Sequence, residues 1–297
     1  QSALLTVMAD NYAEIMDQIY ECPEAAWYLT ANDEAGGGTY QVIEALRDRI
    51  DIVVHALHFN SRFIGELLDR IDSGLKPEEN IPKEILFTEP EIDSIYRQVL
   101  EVDLPYPLLR RMEYFAAQFE FFESAAFQME YKTKDNVKLS GLEFQSLTGQ
   151  ETGKSKIKDI GIQTLNGFSV RALMTCMIFT KALAFFRGEK EVSLQDMRNM
   201  LPFVLHDKLV QNANAPFFEE GNNGVYRVDK VSWIRKLFDL SCAEYQQLDL
   251  DKNDPVRELA ATFEKGLKGV SAKEVEGELV KIERLMNTYQ QGRKLHG

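Results

Sequence analysis

The stretch SLTGQETGKSKIK, residues 146–158, holds the residue types that wrap a nucleotide phosphate: glycines, a lysine and a serine. A loop of that kind needs Gly, four free residues, then Gly-Lys-Ser/Thr, so that backbone N–H groups converge on the phosphate oxygens. Here only Gln150, Glu151 and Thr152 separate Gly149 from Gly153, and Thr148 stands where the first glycine belongs. No apolar strand leads in, because Lys138 to Leu147 is mostly polar or interrupted. The spacing therefore reads as a solvated Gly/Ser/Thr/Lys loop.

A second constellation lies in YLTANDEAGGGTYQVIEALRDRID, residues 28–51. It reads as a buried strand ending at Asn32, a glycine loop, and a short helix rich in arginine. In open parallel sheets ligands sit beyond the carboxyl ends of the strands, which would put Asn32 at a site. Its uncharged amide could orient a water that attacks a phosphate. Arg49 offers a planar, permanent cation, suited to charge that develops during phosphoryl transfer. Taken singly, these residues also fit plain structure. Asn-Asp before glycine is turn chemistry, and Arg47 with Glu44 and Asp51 has ordinary helix ion-pair spacing.

The elements that would position them begin with two apolar runs, AAWYLTAN (residues 25–32) and DIVVHALHF (residues 51–59), read as buried strands of a parallel sheet with a helix between. Beyond residue 60 helices dominate. Phe63, Ile64, Leu67, Leu68 and Ile71 form one stripe that stops at Gly74. Thr88 with Glu91, Ser193 with Asp196, and Ser271 with Glu274 have capping-box spacing, and Ser169 and Asp254-Pro255 are further helix starts. Residues 107–131 form a long aromatic-rich helical pattern, and Pro202 is an expected kink. Residues 131–166 read as a polar, Lys- and Gly-containing insertion, its lysines as solvated surface. PFFEEGNNGVYRVDK, residues 216–230, reads as a loop or small hairpin. Val275, Leu279, Ile282 and Met286 make an apolar stripe that could dock in cis or on a partner helix.

Composition sets bounds. The chain has 297 residues, 44% hydrophobic and 27% charged, enough for two soluble globular domains. A net charge of −13 argues against broad nucleic-acid or anionic-membrane binding. Three scattered cysteines, Cys22, Cys176 and Cys242, fit reduced thiols in a cytoplasmic protein and make no CxxC pair. His55 and His58 would point to opposite faces of a strand, so no metal site is read there. The most apolar run, residues 172–186, is broken by Lys181 and is shorter than the roughly 20 residues a membrane span needs. The chain opens without Met and already inside a helical pattern, which suggests a segment of something longer.

Four stretches together, QSALLTVM, TANDEAGGGTY, EALRDRIDIVV and GFSVRALMTCMIFTKALAFFRGEKEVSLQDMRNMLPFVLHDKL, resemble the MoxR family of AAA+ ATPases in content, order and separation. The resemblance covers roughly residues 1–210. It implies an α/β plus all-α fold: the end of a P-loop NTPase-like parallel-sheet core at residues 1–60, a helical lid at 61–210, and a helical extension at 211–297. It also implies that Asn32 is sensor 1, Arg49 the arginine finger that reaches a neighbouring subunit, and Arg171 the phosphate-contacting sensor 2. Arg47, close to the finger, is a second nucleotide-binding candidate.

ATP and Mg²⁺ are the implied cofactors, with the phosphate loop and Mg²⁺ ligands expected before residue 1. This chain alone would not hydrolyse ATP. The implied partners are further copies in a ring of six, a client protein for chaperone-like remodelling, and a protein with a von Willebrand A-type domain. The segment near residues 57–62 would be the hinge of lid movement. His206-Asp207-Lys208 stands where the family often has a basic His-Arg pair, and receives no role. The contrasting possibility is a non-catalytic helical interaction module in which all these residues are structural.

Overall fold

The computed structural model describes residues 2–30, 44–56, 59–74, 76, 81–120, 133–141, 160–252, 254–266 and 269–290. Helix α1 (Ser2–Asp10) leads into strands β1 (Tyr12–Ile15) and β2 (Gln18–Glu21). Helices α2 (Glu44–Arg49), α3 (Ile64–Ser73), α4 (Glu89–Glu101), α5 (Tyr106–Glu120) and α6 (Lys134–Leu139) follow. Then come α7 (Val170–Phe186), α8 (Leu194–Leu205), α9 (Lys230–Gln247), α10 (Pro255–Glu264) and α11 (Ala272–Gln290).

The only sheet among the described residues is the antiparallel pair β1–β2, with Tyr12 opposite Glu21 and Ile15 opposite Gln18. Its two-residue turn places Met16 and Asp17 at φ 53° and 63°, the double left-handed geometry that suits the twist of a hairpin.

The expected strand at residues 25–32 is not formed over its described part. Residues 25–30 have no regular structure, and Trp27, Tyr28 and Leu29 are exposed. Residues 51–56 are likewise no sheet strand. Their backbone makes one bond to α8, from the Val53 N–H to the Phe203 carbonyl at 2.9 Å. The physical reason is shared: among the described residues neither run has a neighbouring strand, and an apolar run without a ladder partner gains nothing from extended pairing. The expected parallel sheet is thus replaced, in this part of the chain, by a mostly helical assembly.

The core sits between α5, α7, α8 and α9. Phe115 and Phe119 from α5, Ala172 and Cys176 from α7, Leu201 and Leu205 from α8, and Trp233 and Leu237 from α9 are all buried. Phe115 is edge-on to Phe119, Phe168 and Phe238 with centroids 5.0–5.5 Å apart, the preferred aromatic geometry. Trp233 is 0% exposed and its indole N–H donates to Gln163 Oε1 at 3.0 Å, so its one polar atom is satisfied in the interior.

Local capping chemistry sets several helix starts. Thr88 and Glu91 form the expected capping box of α4, and Ser193 and Asp196 that of α8. Ser271 and Glu274 bond reciprocally before α11, and Asp254 Oδ1 accepts the Arg257 N–H at the start of α10. Gly74 ends α3 at φ 64°. Helix α8 continues through Pro202 to Leu205.

Residues 216–230, read as a loop or small hairpin, form two 3₁₀ turns, Pro216–Glu219 and Asn223–Arg227. The insertion is not polar throughout: the 3₁₀ turn Ile160–Gln163 is wholly buried, and so is Lys134. The loop at 146–158 lies outside the described residues.

Candidate functional site

Helix α2 is short, and Leu46, 5% exposed, anchors it. It carries Arg47, Asp48 and Arg49, of which Asp48 meets the start of α7. Ser169 caps α7 by accepting the Ala172 N–H at 3.0 Å, and its own hydroxyl donates to Asp48 Oδ1 at 2.5 Å. Arg171, in the first turn of α7, places Nη1 3.5 Å from Asp48 Oδ2. From the far side, Lys208 Nζ donates to the Asp48 backbone carbonyl at 2.9 Å. Three polar side chains of the α7–α8 region therefore converge on one residue of α2.

Lys208 is nearly buried, and desolvation pulls its pKa below the ordinary lysine value, opposed by the negative charges of Asp48 and Asp51. Asp51 accepts the Thr175 hydroxyl at 2.9 Å, which ties the next turn of chain to α7. Beyond Lys208, His206 Nδ1 lies 2.7 Å from Asp207 Oδ1, and its Nε2 is 3.0 Å from His55 Nε2. The His206 contact is the largest cause of a lowered Asp207 pKa, with lesser help from the charges of Lys230 and Arg47. A cleft of about 860 Å³ opens beside these groups, lined by Arg47, Asp48, Ser169, Asp207 and Lys208 among others.

Of the residues expected to act, Arg171 is paired with Asp48, its side chain 45% exposed. Arg47 lines the cleft, and its Nε is buried without a hydrogen-bond partner among the described residues. Arg49 closes α2 and turns Nη1 onto the Ala45 carbonyl of its own helix at 3.0 Å. Asn32 lies outside the described residues, as does His58. Sequence reasoning missed Asp48, which between two arginines reads as an ordinary helix charge, and gave no role to the His206-Asp207-Lys208 run. The signal available for that run was its position, directly after an apolar helix of the resembled region.

The comparisons with known proteins bear on this region. Residues 161–225 match the family model of the AAA lid domain. That span starts at the buried 3₁₀ turn, includes α7 with Arg171 and α8 with the residues after it, and ends within the second of the later 3₁₀ turns. This stretch is thus similar to the helical lid of AAA-type ATPases. No curated protein matches the chain. Among solved structures, a candidate ATPase from Cytophaga hutchinsonii aligns at a TM-score of 0.49 with 18% identity, over 78% of this chain and 60% of that one. The chain therefore spans about three-fifths of that protein's length. Among the described residues, no helix is long and apolar enough to cross a membrane.

Proposed function

We propose that this chain is the sensor, finger and lid portion of a MoxR-type AAA+ ATPase. In that protein it serves hydrolysis of ATP that drives remodelling or maturation of client proteins. The observation that carries the reading is the position of Arg171. It stands in the first turn of α7, inside the stretch similar to an AAA lid, and faces the arginine-bearing helix α2.

The residues described fit a nucleotide's phosphates. A partly exposed guanidinium at a helix N-terminus is a natural partner for a phosphate group. Arg47 adds a second cation on the adjoining cleft. Among the described residues no group of three or more His, Cys, Asp or Glu could hold a metal ion. On this reading the Mg²⁺ ligands belong with the phosphate loop that the family places ahead of these elements. When bound, Mg²⁺–ATP supplies the transferable phosphoryl group. Arg171 would bind and orient it, Asn32 would position the attacking water, and Arg49 would reach the nucleotide of the adjoining protomer in a ring of six. A von Willebrand A-type partner and a cytoplasmic setting complete the proposal.

A specific observation also favours a docking role. Phe63, Ile64, Leu67, Leu68 and Ile71 of the α3 stripe are 44–65% exposed, a surface that suits a client or adaptor.

The test is ATP hydrolysis by the intact protein assembled as a ring. Arg49→Ala is expected to lower the rate by about 10³-fold or more, the scale of fingers in other NTPases, with ATP still bound. A ring of Arg49→Ala subunits that turns over at the normal rate removes the finger assignment.

A further inference from the structure

We propose that Asp48 is a positioning residue that competes with anionic ligand groups for Arg171, and so links engagement of the lid arginine to the placement of α2. The inference rests on the reading of Arg171 as a phosphate-contacting residue.

The Asp48 carboxylate occupies the kind of environment that binds phosphate oxygens. One oxygen accepts the Ser169 hydroxyl at 2.5 Å, where Ser169 caps the 17-residue helix α7. The other faces Arg171 at 3.5 Å, and the ammonium of Lys208 reaches the Asp48 carbonyl. A hydroxyl, two cations and the positive end of a helix dipole are the groups that hold anions elsewhere. Here the hydroxyl and Arg171 are turned on a carboxylate of the same chain, and Lys208 on the backbone carbonyl of that residue.

The contact to Arg171 is built to be exchanged. Its partners are 45% and 31% exposed and meet at a single loose distance. Arg198 and Asp239 show the contrast, with two parallel bonds at 2.7 and 2.8 Å. A partly solvated, monodentate pair contributes little and yields readily to a multiply charged competitor. Asp48 stands between Arg47 and Arg49 on a helix of six residues. Taking Arg171 from it removes one of the tethers that fix this helix, and with it the candidate finger.

The test titrates the 297-residue chain with inorganic tripolyphosphate, following the Nε–H resonance of Arg171 by NMR. Asp48→Asn keeps the shape and removes the charge, and is expected to tighten binding about 3- to 10-fold. Asp48→Glu is expected to return it toward the starting value. Asp51→Asn removes the same charge from a carboxylate engaged by Thr175, and is expected to change affinity less than about twofold.

A purely structural Asp48 would weaken or spare binding when altered, never strengthen it. If Arg171 titrates but Asp48→Asn binds no tighter than Asp51→Asn, the competition is overturned while the phosphate role of Arg171 stands. If Arg171 does not respond in any variant, both fall. Hydrogen exchange of the unaltered chain gives a second reading that no folding defect can spoil. Saturation with tripolyphosphate is expected to speed exchange of the α2 amides, and unchanged α2 protection overturns the link.

Discussion

The ammonium of Lys134 donates to the backbone carbonyl of Thr164 at 3.0 Å, with the lysine only 1% exposed. Its three N–H groups are shared between this carbonyl, the Gly161 carbonyl at 2.8 Å, the Thr164 hydroxyl and the Asn166 carbonyl at 3.3 Å. One cation in the first turn of α6 thus gathers the bend that leads to Gly167, Ser169 and Arg171.

Lys134→Met keeps an unbranched side chain, one atom shorter, and removes every donor. The carbonyls it served would stay buried with fewer partners, and each such loss is costly. The expected outcome is a loss of about 2–4 kcal/mol in urea unfolding, by the magnitudes for unsatisfied buried polar groups. Because Asn166 anchors the same bend to the Lys208 carbonyl at 2.7 Å, the loss should also lower protection of the first α7 amides in hydrogen exchange. A Lys134→Met chain as stable as the original would mean that water replaces the ammonium there.

Gly167 tests the same bend sterically. A Cβ at this position would lie 3.2 Å from the Phe119 carbonyl and 3.5 Å from the Glu120 Cα, both backbone atoms at the end of α5. Neither neighbour can swing aside as a side-chain tip could. Gly167→Ala is expected to cost about 1–2 kcal/mol, in the range for overpacking. It should also displace Ser169 from its cap, read as a shifted Ala172 amide resonance. An unchanged melting temperature would show that α5 accommodates the methyl group.

The sequence-based expectations divide along a physical line. Helix starts rest on chemistry within a few residues, so Thr88 with Glu91 and Ser193 with Asp196 could be located from spacing. Strands need a partner elsewhere in the chain, and the apolar runs at 25–32 and 51–59 carried no information about one. The hairpin that does form turns on Met16 and Asp17, residues that give none of the usual Asn-Gly or Asp-Gly signal. Lys134 looked like one more solvated lysine, because its burial depends on carbonyls some thirty residues further on. At the candidate site, Arg47, Arg49 and Arg171 were singled out through the resemblance to a family. Asp48, the residue that gathers Arg171, Ser169 and Lys208, was not, because its partners come from two segments distant in sequence.

The cysteines provide a test of the core. Burial first, and in both cases only partly offset by a nearby cation, pushes the Cys176 thiol up to about 12 and that of Cys242 up to about 11. At pH 8 neither then offers appreciable thiolate, the form that reacts with alkylating agents. In the folded chain iodoacetamide at pH 8 is expected to modify the partly exposed Cys22 well before Cys176, with all three modified in urea. Equal rates for Cys22 and Cys176 in the folded chain would place Cys176 outside the core.

Acid stability should report on the junction between α8 and the segment before α3. The pKa of Asp207 is lowered first by its bond to His206, then by the charges of His206, Lys230 and Arg47, against an opposing cost of burial. A carboxyl whose folded pKa lies below its unfolded value of 3.8 adds stability above that value. The contribution is lost as pH falls through the lowered folded value, because the unfolded chain takes up the proton first. Urea midpoints measured from pH 6 to pH 2.5 should therefore fall more steeply below about pH 4 for the unaltered chain than for Asp207→Asn, which has no proton to gain. Parallel acid limbs for the two proteins would show that the His206–Asp207 contact does not distinguish the folded from the unfolded state.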